Sequence, residues 1–445
     1  MPISLVGHCG FNTTLSGWIH TLNFVGFLGG KITMLNARLV SLSLLISTTC
    51  FSSIAFATNG LAPTGLGMAH RSMGGAAVAN PINTTSMATN PAAASFIPDG
   101  YDVGLEVFKP KRSVVDRTTN TEYSGNKKST FYVPEGGYKR SLSKGMAAGI
   151  VIYGNGGMNT GYANLNSPPF MSSDVGVDYQ QLFVSPTISF KMGETQAVGL
   201  SLNGVYQKFK AEGLSSFTAP GFSVDSNSVT NNGYDSSTGV GGTIGWQGQL
   251  SPRVSAGISY RSKVKMGKLD KYKGLLANGG EFDVPAATTV GLSFKATRKT
   301  TVAMDIQHIE YNKLASVGNT STSFGSAQLG SNGGPGFGWQ NQTIYKLGVK
   351  HQMTPTTALM AGYNYGKSPV KSTETTFNVL APATSERHLS LGAEFKLSPK
   401  SDLTVSYVHA FEKEIQGAGV SPVGLDMYNL KMDQNILGFA YSRRF

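Results

Sequence analysis

The sequence predicts an all-β protein, a 14-stranded antiparallel transmembrane β-barrel with its N-terminal segment inside the lumen. Three observations lead to this prediction. No apolar run of about 20 residues follows residue 60, which argues against membrane-spanning helices. From residue 100 onward, segments of alternating polarity recur, and tight turns alternate with long loops between them. The mean hydropathy of −0.09 agrees with a barrel, because each strand needs only about 10 residues of alternating polarity.

The first 57 residues differ in composition from the rest of the chain. They contain no Asp or Glu, and their only cations are Lys31 and Arg38. From Met34 onward, a short cationic segment, an apolar run and the small-residue site ending at Ala57 are typical of a secretory signal peptide. We therefore expect residues 1–57 to be a leader that is cleaved after Ala57, with translation starting at Met34. The alternative is an uncleaved membrane anchor.

Composition limits the possible partners and cofactors. Both cysteines, Cys9 and Cys50, lie in the leader, so the exported chain has neither a thiolate metal site nor a Cys nucleophile. The residues before Cys50 do not resemble a lipobox. The formal charge of +12 raises nucleic acid as a partner, but for an exported barrel we expect anionic lipopolysaccharide instead. We predict no cofactor and no metal.

Fourteen segments alternate in polarity, and short turns join them in pairs on one side. An even strand count with short turns on one side and long loops on the other is typical of bacterial outer-membrane barrels, and it places both termini in the periplasm. The predicted strands are 101–112, 129–141, 145–155, 178–191, 195–210, 237–250, 253–266, 284–296, 299–313, 342–353, 356–368, 385–397, 401–414 and 433–445.

The fifth strand shows how the two faces differ. Leu200, Leu202 and Tyr206 share one face, which we expect to meet lipid. Lys208 and Lys210 continue that face where the strand leaves the bilayer, a position suited to lipopolysaccharide phosphates. The alternative for both lysines is ordinary solvated charge.

The chain ends in an aromatic residue. Phe445 follows Tyr441, Phe439 and Leu437 on one face of the last strand. This ending resembles the signal that the barrel-assembly machinery reads, and Arg443 departs from the usual residue type at its position. We expect that machinery to be a partner during biogenesis.

Residues 58–99, between the leader and the barrel at 100–445, have no strand periodicity and are rich in Gly, Ala and Asn. A segment of this kind cannot span lipid, so we place it in the lumen. It resembles the N-terminal hatch of the FadL/TodX family of outer-membrane transporters, above all in Asn90, Pro91 and Ala92. The segment Asn80-Pro81-Ile82-Asn83 stands where many members carry an acidic pair. Further similarities occur in the expected order along the barrel, at Val133-Pro134, Val284-Pro285-Ala286, Asp305, Trp339, Leu347-Gly348, Ser368-Pro369-Val370 and Leu391-Gly392.

The resemblance implies a function in the outer membrane of a Gram-negative bacterium. It implies a non-enzymatic, monomeric transporter that takes up hydrophobic molecules passively, with long-chain fatty acids as the leading cargo. Capture would occur at the outer loops, and release would occur through a lateral opening at the third strand. The alternatives are uptake of aromatic or alkane hydrocarbons on the same fold, a general porin, and a barrel hydrolase. A hydrolase would need a nucleophile beside a base, and the histidines beyond the leader lie in no recognisable catalytic motif.

Gly154, Gly156 and Gly157 interrupt the third strand, where glycine weakens the ladder and favours a bulge or kink. We predict the lateral gate there. The alternative is a plain strand end that enters a loop.

Five apolar residues in otherwise polar loops are the predicted capture site, because exposed apolar clusters often mark binding. They are Phe217, Pro220, Phe222, Leu275 and Leu276. The alternative is that these loops pack on themselves.

Three inward-facing cations are candidate partners for a ligand carboxylate, namely Arg261, Lys263 and Lys346. The alternative is that Glu106, Asp305 and Glu394 balance them in structural networks. No motif carries the family's carboxylate-binding residues over to this sequence.

Overall fold

The computed structural model describes residues 59–419 and 426–445. The predicted leader, with its cleavage site after Ala57 and its start at Met34, lies outside the described residues. Within the described ranges, no helix has the length and hydropathy needed to cross a membrane.

Within the described ranges, sixteen antiparallel strands form one sheet. The last strand pairs with the first, from Gly100↔Arg444 to Asp116↔Tyr428, and this pairing closes the barrel. The strands are β1 (Gly100–Asp116), β2 (Thr121–Ser124), β3 (Phe131–Ser141), β4 (Met146–Leu165), β5 (Ser172–Met192), β6 (Gln196–Glu212), β7 (Asp235–Ser251), β8 (Val254–Arg261), β9 (Lys265–Met266), β10 (Ala287–Lys295), β11 (Thr300–Ile309), β12 (Gln342–Thr354), β13 (Thr357–Gly366), β14 (Arg387–Ser398), β15 (Ser401–Ile415) and β16 (Tyr428–Arg444). Because β2 and β9 are short additions on the loop side, fourteen strands make the wall, and the predicted fold class is confirmed.

The strands turn apolar side chains outward and polar side chains inward. On β6, Leu200 and Leu202 are 50% and 59% exposed, whereas Ser201 and Asn203 between them are buried. The closed ladder gives the backbone N–H and C=O groups of the wall hydrogen-bond partners within the sheet, because lipid offers none. Other exposed apolar residues of the same outer surface are Leu105, Ile258, Leu292, Met304, Leu347, Tyr407 and Phe439.

Some strand ends differ from the sequence prediction. β4 and β5 extend on the loop side as far as Leu165 and Ser172, where the sequence predicted a long loop. Alternating polarity is absent there because residues 153–160 are all buried, so period-two analysis could not detect the strand. β8 ends at Arg261 instead of residue 266; after an interruption in which Val264 forms a bridge with Val284, Lys265 and Met266 pair with β7 again as β9.

At the turn side, aromatic rings surround the C-terminal residue. The ring of Phe445 lies 6.1 Å from that of Tyr101 and 6.0 Å from that of Tyr138. The Phe445 backbone N–H also donates to the Asp99 carbonyl oxygen. These contacts join the first and last strands at the end of the barrel that the short turns mark as periplasmic.

Most of the buried apolar core lies on the loop side of the barrel. The largest buried cluster includes Tyr162 of β4, Phe209 of β6 and Trp339 of the loop before β12. Short helices stand in these regions and in the N-terminal segment, namely α1 (Met68–Arg71), α2 (Ala277–Gly280) and α3 (Ala315–Gly318). The loops therefore enclose a core of their own above the membrane-spanning wall.

Candidate transport site

Residues 59–99, called the hatch below, contact the inner face of the barrel through carboxylates that the wall supplies. Asp305 accepts from the N–H groups of Ala77 and Val78 at 2.7 and 3.0 Å. Asp102 likewise accepts from the Thr84 N–H at 2.7 Å. Since the hatch has little regular structure, these bonds satisfy backbone groups that would otherwise be buried without partners.

Asn90, of the predicted hatch motif, is fully buried and bonds to both hatch and wall. Its side-chain oxygen accepts from the Ala92 N–H and so caps the short helix that begins at Pro91. Its amide nitrogen donates to the carbonyl oxygens of Val78 in the hatch, at 2.8 Å, and Trp246 in β7, at 3.0 Å. This asparagine therefore holds a hatch helix, a second hatch segment and the wall together.

Glycines in the wall allow the hatch backbone to approach closely. A Cβ atom on Gly199 of β6 would lie 2.3 Å from the Pro91 carbonyl carbon, and one on Gly362 of β13 would lie 2.0 Å from the Gly74 nitrogen. Hatch backbone comes equally close at Gly257 and Gly348, and hatch side chains do so at Gly245, Gly392 and Gly438. The inner surface of the wall is thus shaped to the hatch.

We expect Gly199→Val to displace the Asn90-Pro91-Ala92 segment, because the new side chain would occupy the space of the Pro91 backbone. Limited proteolysis of the folded barrel should then cleave the hatch, which the parent protein protects. Gly204→Val is the matched control, since a Cβ there would meet nothing closer than 3.5 Å. Equal protection of the hatch in the Gly199 and Gly204 variants would contradict the prediction.

A buried ion-pair network joins the hatch to β1 and β3. Arg71 of α1 pairs with Glu106, and its guanidinium lies 3.6 Å from Glu135. Glu135 also accepts from the N–H groups of Gly67 and Met68, at 3.2 and 3.0 Å, at the start of α1. The helix is therefore bound to the wall by charge and by hydrogen bonds together.

The wall has an opening between β3 and β4. These strands pair from Ser141↔Ala147 to Glu135↔Tyr153, and no described pair continues the ladder toward the loops. β4 bulges on its other side, where Gly154↔Leu182 is followed by Gly156↔Gln181. Because residues 153–160 are all buried, this part of β4 turns inward, away from lipid. The predicted gate glycines lie at this bulge and inward turn.

The loop after β2 bounds the opening on its outer side. The Lys127 N–H donates to the Gly161 carbonyl oxygen at 3.1 Å, and the Gly161 N–H donates to Gly125. Lys127 and Lys128 also form ion pairs with Asp174 and Asp178 of β5. The opening is thus a window framed by backbone on all sides.

The first described residues of the hatch lie behind this window. A Cβ on Gly156 would lie 2.7 Å from the Leu61 carbonyl oxygen. The Tyr311 hydroxyl accepts from the N–H groups of Leu61 and Ala62 and donates to the Asn59 carbonyl oxygen. Burial raises the pKa of Tyr311, so its hydroxyl stays protonated and keeps the donated bond.

The long loops line an apolar pocket that is partly open to solvent, called the outer chamber below. It is lined by Phe170, Val177, Phe209, Leu214, Phe217, Leu275, Leu276, Ser316, Leu329, Pro335, Gly336, Phe337, Phe377 and Leu380. None of these described lining residues is charged. An ion pair of 3.1 Å between Lys273 and Asp225 joins two of the loops, and the hydrogen bond from Lys273 lowers the pKa of Asp225.

The structure brings three of the five predicted capture residues into the outer chamber, namely Phe217, Leu275 and Leu276. Pro220 and Phe222 lie outside its lining, and the prediction is corrected there. Both are exposed, Phe222 by 41%, with its ring packed against Phe324 at 5.1 Å. They follow Phe217 after the short helix ends, where the loop turns back to the surface.

A second, smaller pocket, called the inner cavity below, adjoins the outer chamber at Leu380, which lines both. Its lining comes from β1, the inward turn of β4, β16 and the loop before β14. That loop is fastened to β4, since Thr160 donates to the Leu380 carbonyl oxygen and Tyr162 to that of Val379, both at 2.9 Å. The inner cavity thus lies between the outer chamber and the window.

The predicted inward cations have different surroundings. Arg261 and Lys346 line a polar pocket beside the hatch, and Arg261 donates to the Asn155 side-chain oxygen at the bulge, at 2.7 Å. Lys346 stands opposite Asp305 in the β11–β12 register. Lys263 lies past the end of β8, is 41% exposed and forms an ion pair with the buried Asp283 at 2.8 Å.

The three acids predicted to balance these cations, Glu106, Asp305 and Glu394, also differ in their partners. Glu106 pairs with Arg71 and Glu394 with Lys350, the latter at 2.7 Å. Two of the three therefore neutralise cations other than the predicted ones. Within the described ranges, no group of three or more His, Cys, Asp or Glu side chains could hold a metal ion.

A family model described as outer membrane protein transport protein (OMPP1/FadL/TodX) matches residues 43–445. The chain belongs to the FadL/TodX family. It is therefore a transport protein for hydrophobic compounds in the outer membrane of a Gram-negative bacterium, and not an enzyme. In a comparison with curated proteins, none matches.

Solved structures of FadL/TodX members share the fold. The P. putida toluene transporter TodX is 20% identical, with 86% of this chain and 99% of that one covered and a TM-score of 0.67. The Ralstonia pickettii toluene transporter TbuX is 17% identical, with 86% of this chain and 99% of that one covered and a TM-score of 0.60. A Pseudomonas aeruginosa FadL homologue is 15% identical, with 87% of this chain and 100% of that one covered and a TM-score of 0.64. At these identities the likeness shows the fold alone.

Sequence reasoning did not single out Arg71, Glu135 or the wall glycines. A signal for Arg71 was present, because it and His70 are the only ionisable residues between positions 59 and 96. A lone arginine in a segment expected to be buried requires an acidic partner in the wall. Which carboxylates supply that partner depends on tertiary structure.

Proposed function

We propose that this FadL/TodX member captures hydrophobic molecules in the outer chamber and releases them sideways through the window between β3 and β4. The observation that carries the proposal is the uncharged lining of the outer chamber, with the inner cavity between it and the window. A ligand that followed this path would stay next to apolar side chains until it reached the bilayer.

Passive transport along this path needs no energy source. Each methylene group that leaves water for an apolar site contributes roughly 0.8 kcal/mol, so capture is favourable and the bilayer is an equally favourable destination. The loops and the wall provide a route around the lipopolysaccharide leaflet.

Two classes of cargo are compatible with the outer chamber. Long-chain fatty acids are the leading candidate from the sequence. Aromatic or alkane hydrocarbons are favoured by the chamber itself, because no charged residue in its described lining would pair with a carboxylate. TodX and TbuX, which are similar in fold, are toluene transporters.

We expect Phe217→Ala to weaken ligand capture about tenfold, because buried aromatic anchors carry a large share of binding energy. Phe217 is 4% exposed, lines the outer chamber and contacts the rings of Phe170, Phe324 and Phe377. Binding of radiolabelled oleate to the purified protein, with toluene as competitor, measures the effect and ranks the two cargo classes.

Phe222→Ala is the matched control for this experiment. It removes a ring from the same loop, but Phe222 is exposed and lies outside the chamber lining, so binding should remain close to that of the parent protein. Equal losses in the two variants would show that the loop, and not the chamber, determines affinity.

We further propose that anionic lipopolysaccharide contacts the outer face at the loop-side end of β6. There the Lys208 ammonium lies 3.7 Å from the Tyr234 ring centroid, and the Lys210 ammonium lies 5.4 Å from the same centroid.

The terminal aromatic cluster around Phe445 supports recognition by the barrel-assembly machinery. Closure of the sheet within a single chain supports a monomer.

A further inference from the structure

The segment that follows β8 on the loop side is rich in lysine. Residues 263–273 contain five lysines and one acid, Asp270, and all five lysines are exposed. Lys263 pairs with Asp283 and Lys273 with Asp225. The other three form no ion pair with a described carboxylate, namely Lys265, Lys268 and Lys271.

A one-residue shift in strand register turns Lys265 to the outer face of the barrel. β7 pairs with β8 as far as Thr243↔Arg261 and then with β9 at Val240↔Lys265. The two pairs are three residues apart on β7 and four apart on the other segment, so one residue is inserted between them. Such an insertion exchanges the two faces of a strand. Lys265 therefore shares the outer face with Val240, which is 65% exposed, whereas Val264 and Met266 are buried.

β6 supplies a second row of positive charge on the other side of β7. Lys208 lies opposite Ser236 in the β6–β7 register, on the same face as the exposed Tyr206. It too forms no ion pair with a described carboxylate. The Lys208 ammonium lies 3.7 Å from the Tyr234 ring centroid, and the Lys271 ammonium donates to the Tyr234 carbonyl oxygen at 2.8 Å. Tyr234 thus brings both lysines to the loop-side end of β7.

The surface between these lysines is polar and shallow. β7 runs between β6 and β9 and exposes only the small side chains of Ser236 and Thr238 there. Backbone bonds fix the lysine segment against β7, since the Gly267 N–H donates to the Thr238 carbonyl oxygen and the Lys271 N–H donates to the Asp235 carboxylate, both at 2.9 Å. Lys208, Lys265 and Lys271, called the outer basic patch below, therefore surround a depression on a rigid sheet.

The outer basic patch begins where the lipid-facing surface ends. On the same two strands, the apolar residues nearer the middle of the wall are Leu200, Leu202, Val240 and Ile244, each at least half exposed. Cations directly above an apolar wall match a molecule that has phosphate groups above acyl chains, because lysine binds phosphate as a point charge. In the outer leaflet of an outer membrane, that molecule is lipopolysaccharide.

We infer that the outer basic patch binds the phosphate groups of lipid A, the acylated disaccharide of lipopolysaccharide, with its acyl chains along β6 and β7. The inference rests on the lipopolysaccharide contact proposed above and deepens it. It assigns half of the site to the segment after β8, and it places both phosphates of the disaccharide within reach of lysines from two sides of β7.

The test uses the purified, detergent-solubilised mature barrel. Microscale thermophoresis measures its affinity for diphosphorylated lipid A, for the same lipid without phosphates, and for phosphatidylglycerol. We expect lipid A to bind on the order of tenfold or more tightly than either of the others, because each lysine near the membrane surface adds attraction to phosphate. Equal binding of phosphorylated and dephosphorylated lipid A would overturn the inference, and equal binding of phosphatidylglycerol would overturn the assignment to lipid A.

Lys265→Gln with Lys271→Gln should weaken lipid A binding on the order of tenfold. Lys295→Gln with Lys299→Gln is the matched control, because it removes the same charge from two exposed lysines at the turn end of the barrel. Equal losses in the two double variants would overturn the inference by showing that net charge alone sets the affinity. The comparison of lipids in the parent protein does not depend on the folding of any variant.

A third double variant separates this inference from the contact on which it rests. If Lys208→Gln with Lys210→Gln weakens lipid A binding and the Lys265/Lys271 variant does not, the contact at the end of β6 stands and the role of the segment after β8 is lost. If the parent protein does not bind lipid A, both fail. The proposed transport of hydrophobic molecules is decided separately, by oleate and toluene binding, because none of these lysines lines the outer chamber or the inner cavity.

Discussion

Replacing Gly156 and Gly157 with valine is expected to abolish uptake while the barrel still assembles. A Cβ at position 156 would lie 2.7 Å from the Leu61 carbonyl oxygen, so the variant cannot keep both the inward turn of β4 and the present position of the hatch. Valine also favours regular extended strand, which opposes the bulge that follows Gly154. The window should close or become blocked by displaced hatch residues.

Uptake of radiolabelled oleate and toluene by cells that carry only this transporter measures the effect. Barrel assembly is checked by the heat-dependent shift in gel mobility that folded barrels show. Gly204→Val is the control, because it adds a valine to another wall strand, β6, without a close contact. Normal uptake by the Gly156/Gly157 variant would remove the gate assignment and leave this segment as an ordinary strand end.

Arg71→Met is expected to release the hatch from the wall. The change leaves the carboxylates of Glu106 and Glu135 buried beside each other without their shared cation. Breaking a buried ion pair in this way typically costs 3–5 kcal/mol, on the order of the free energy that holds a segment of this size in place. Residues 59–96 should become accessible to protease, and small hydrophilic solutes should leak through the lumen.

Lys127→Met is the control for this prediction, because Lys127 and its partner Asp174 are both about half exposed and neither belongs to the hatch. A pair of this exposure contributes about 0–1 kcal/mol, so the hatch should stay protected. A second change, Glu106→Gln in the Arg71→Met protein, should restore part of the protection by removing one of the uncompensated charges. An intact hatch in Arg71→Met would mean that hydrogen bonds such as those of Asp305 and Asn90 suffice to hold it.

The sequence identified some residues of the candidate site correctly and misplaced others, and the difference has a physical reason. Phe217, Leu275 and Leu276 stood out because they are apolar in polar loops, and they meet in the outer chamber. Phe222 carried the same sequence signal but lies at the surface, since residue type does not reveal which way an irregular loop turns. Lys263 was assigned to the lumen by extending the alternation of β8 past Arg261, where the strand ends.

Lys265 shows the limit of sequence reasoning most clearly. In the sequence it is one of five lysines between positions 263 and 273. Its significance comes from its pairing with Val240, which turns it to the outer face, and from Lys208 on the other side of β7. Both are properties of its neighbours, and those neighbours belong to other strands.

By itself, the sequence determined the all-β class, the fourteen wall strands and the outward-facing apolar surface. These features follow from local rules, because a bilayer demands alternating polarity along each strand and tight turns mark each reversal. Only the tertiary structure decided where β3 and β4 part, which carboxylates hold Arg71, and how the loops enclose two adjoining cavities. Each of these depends on contacts between residues distant in the chain, and such contacts leave no periodic pattern in the sequence.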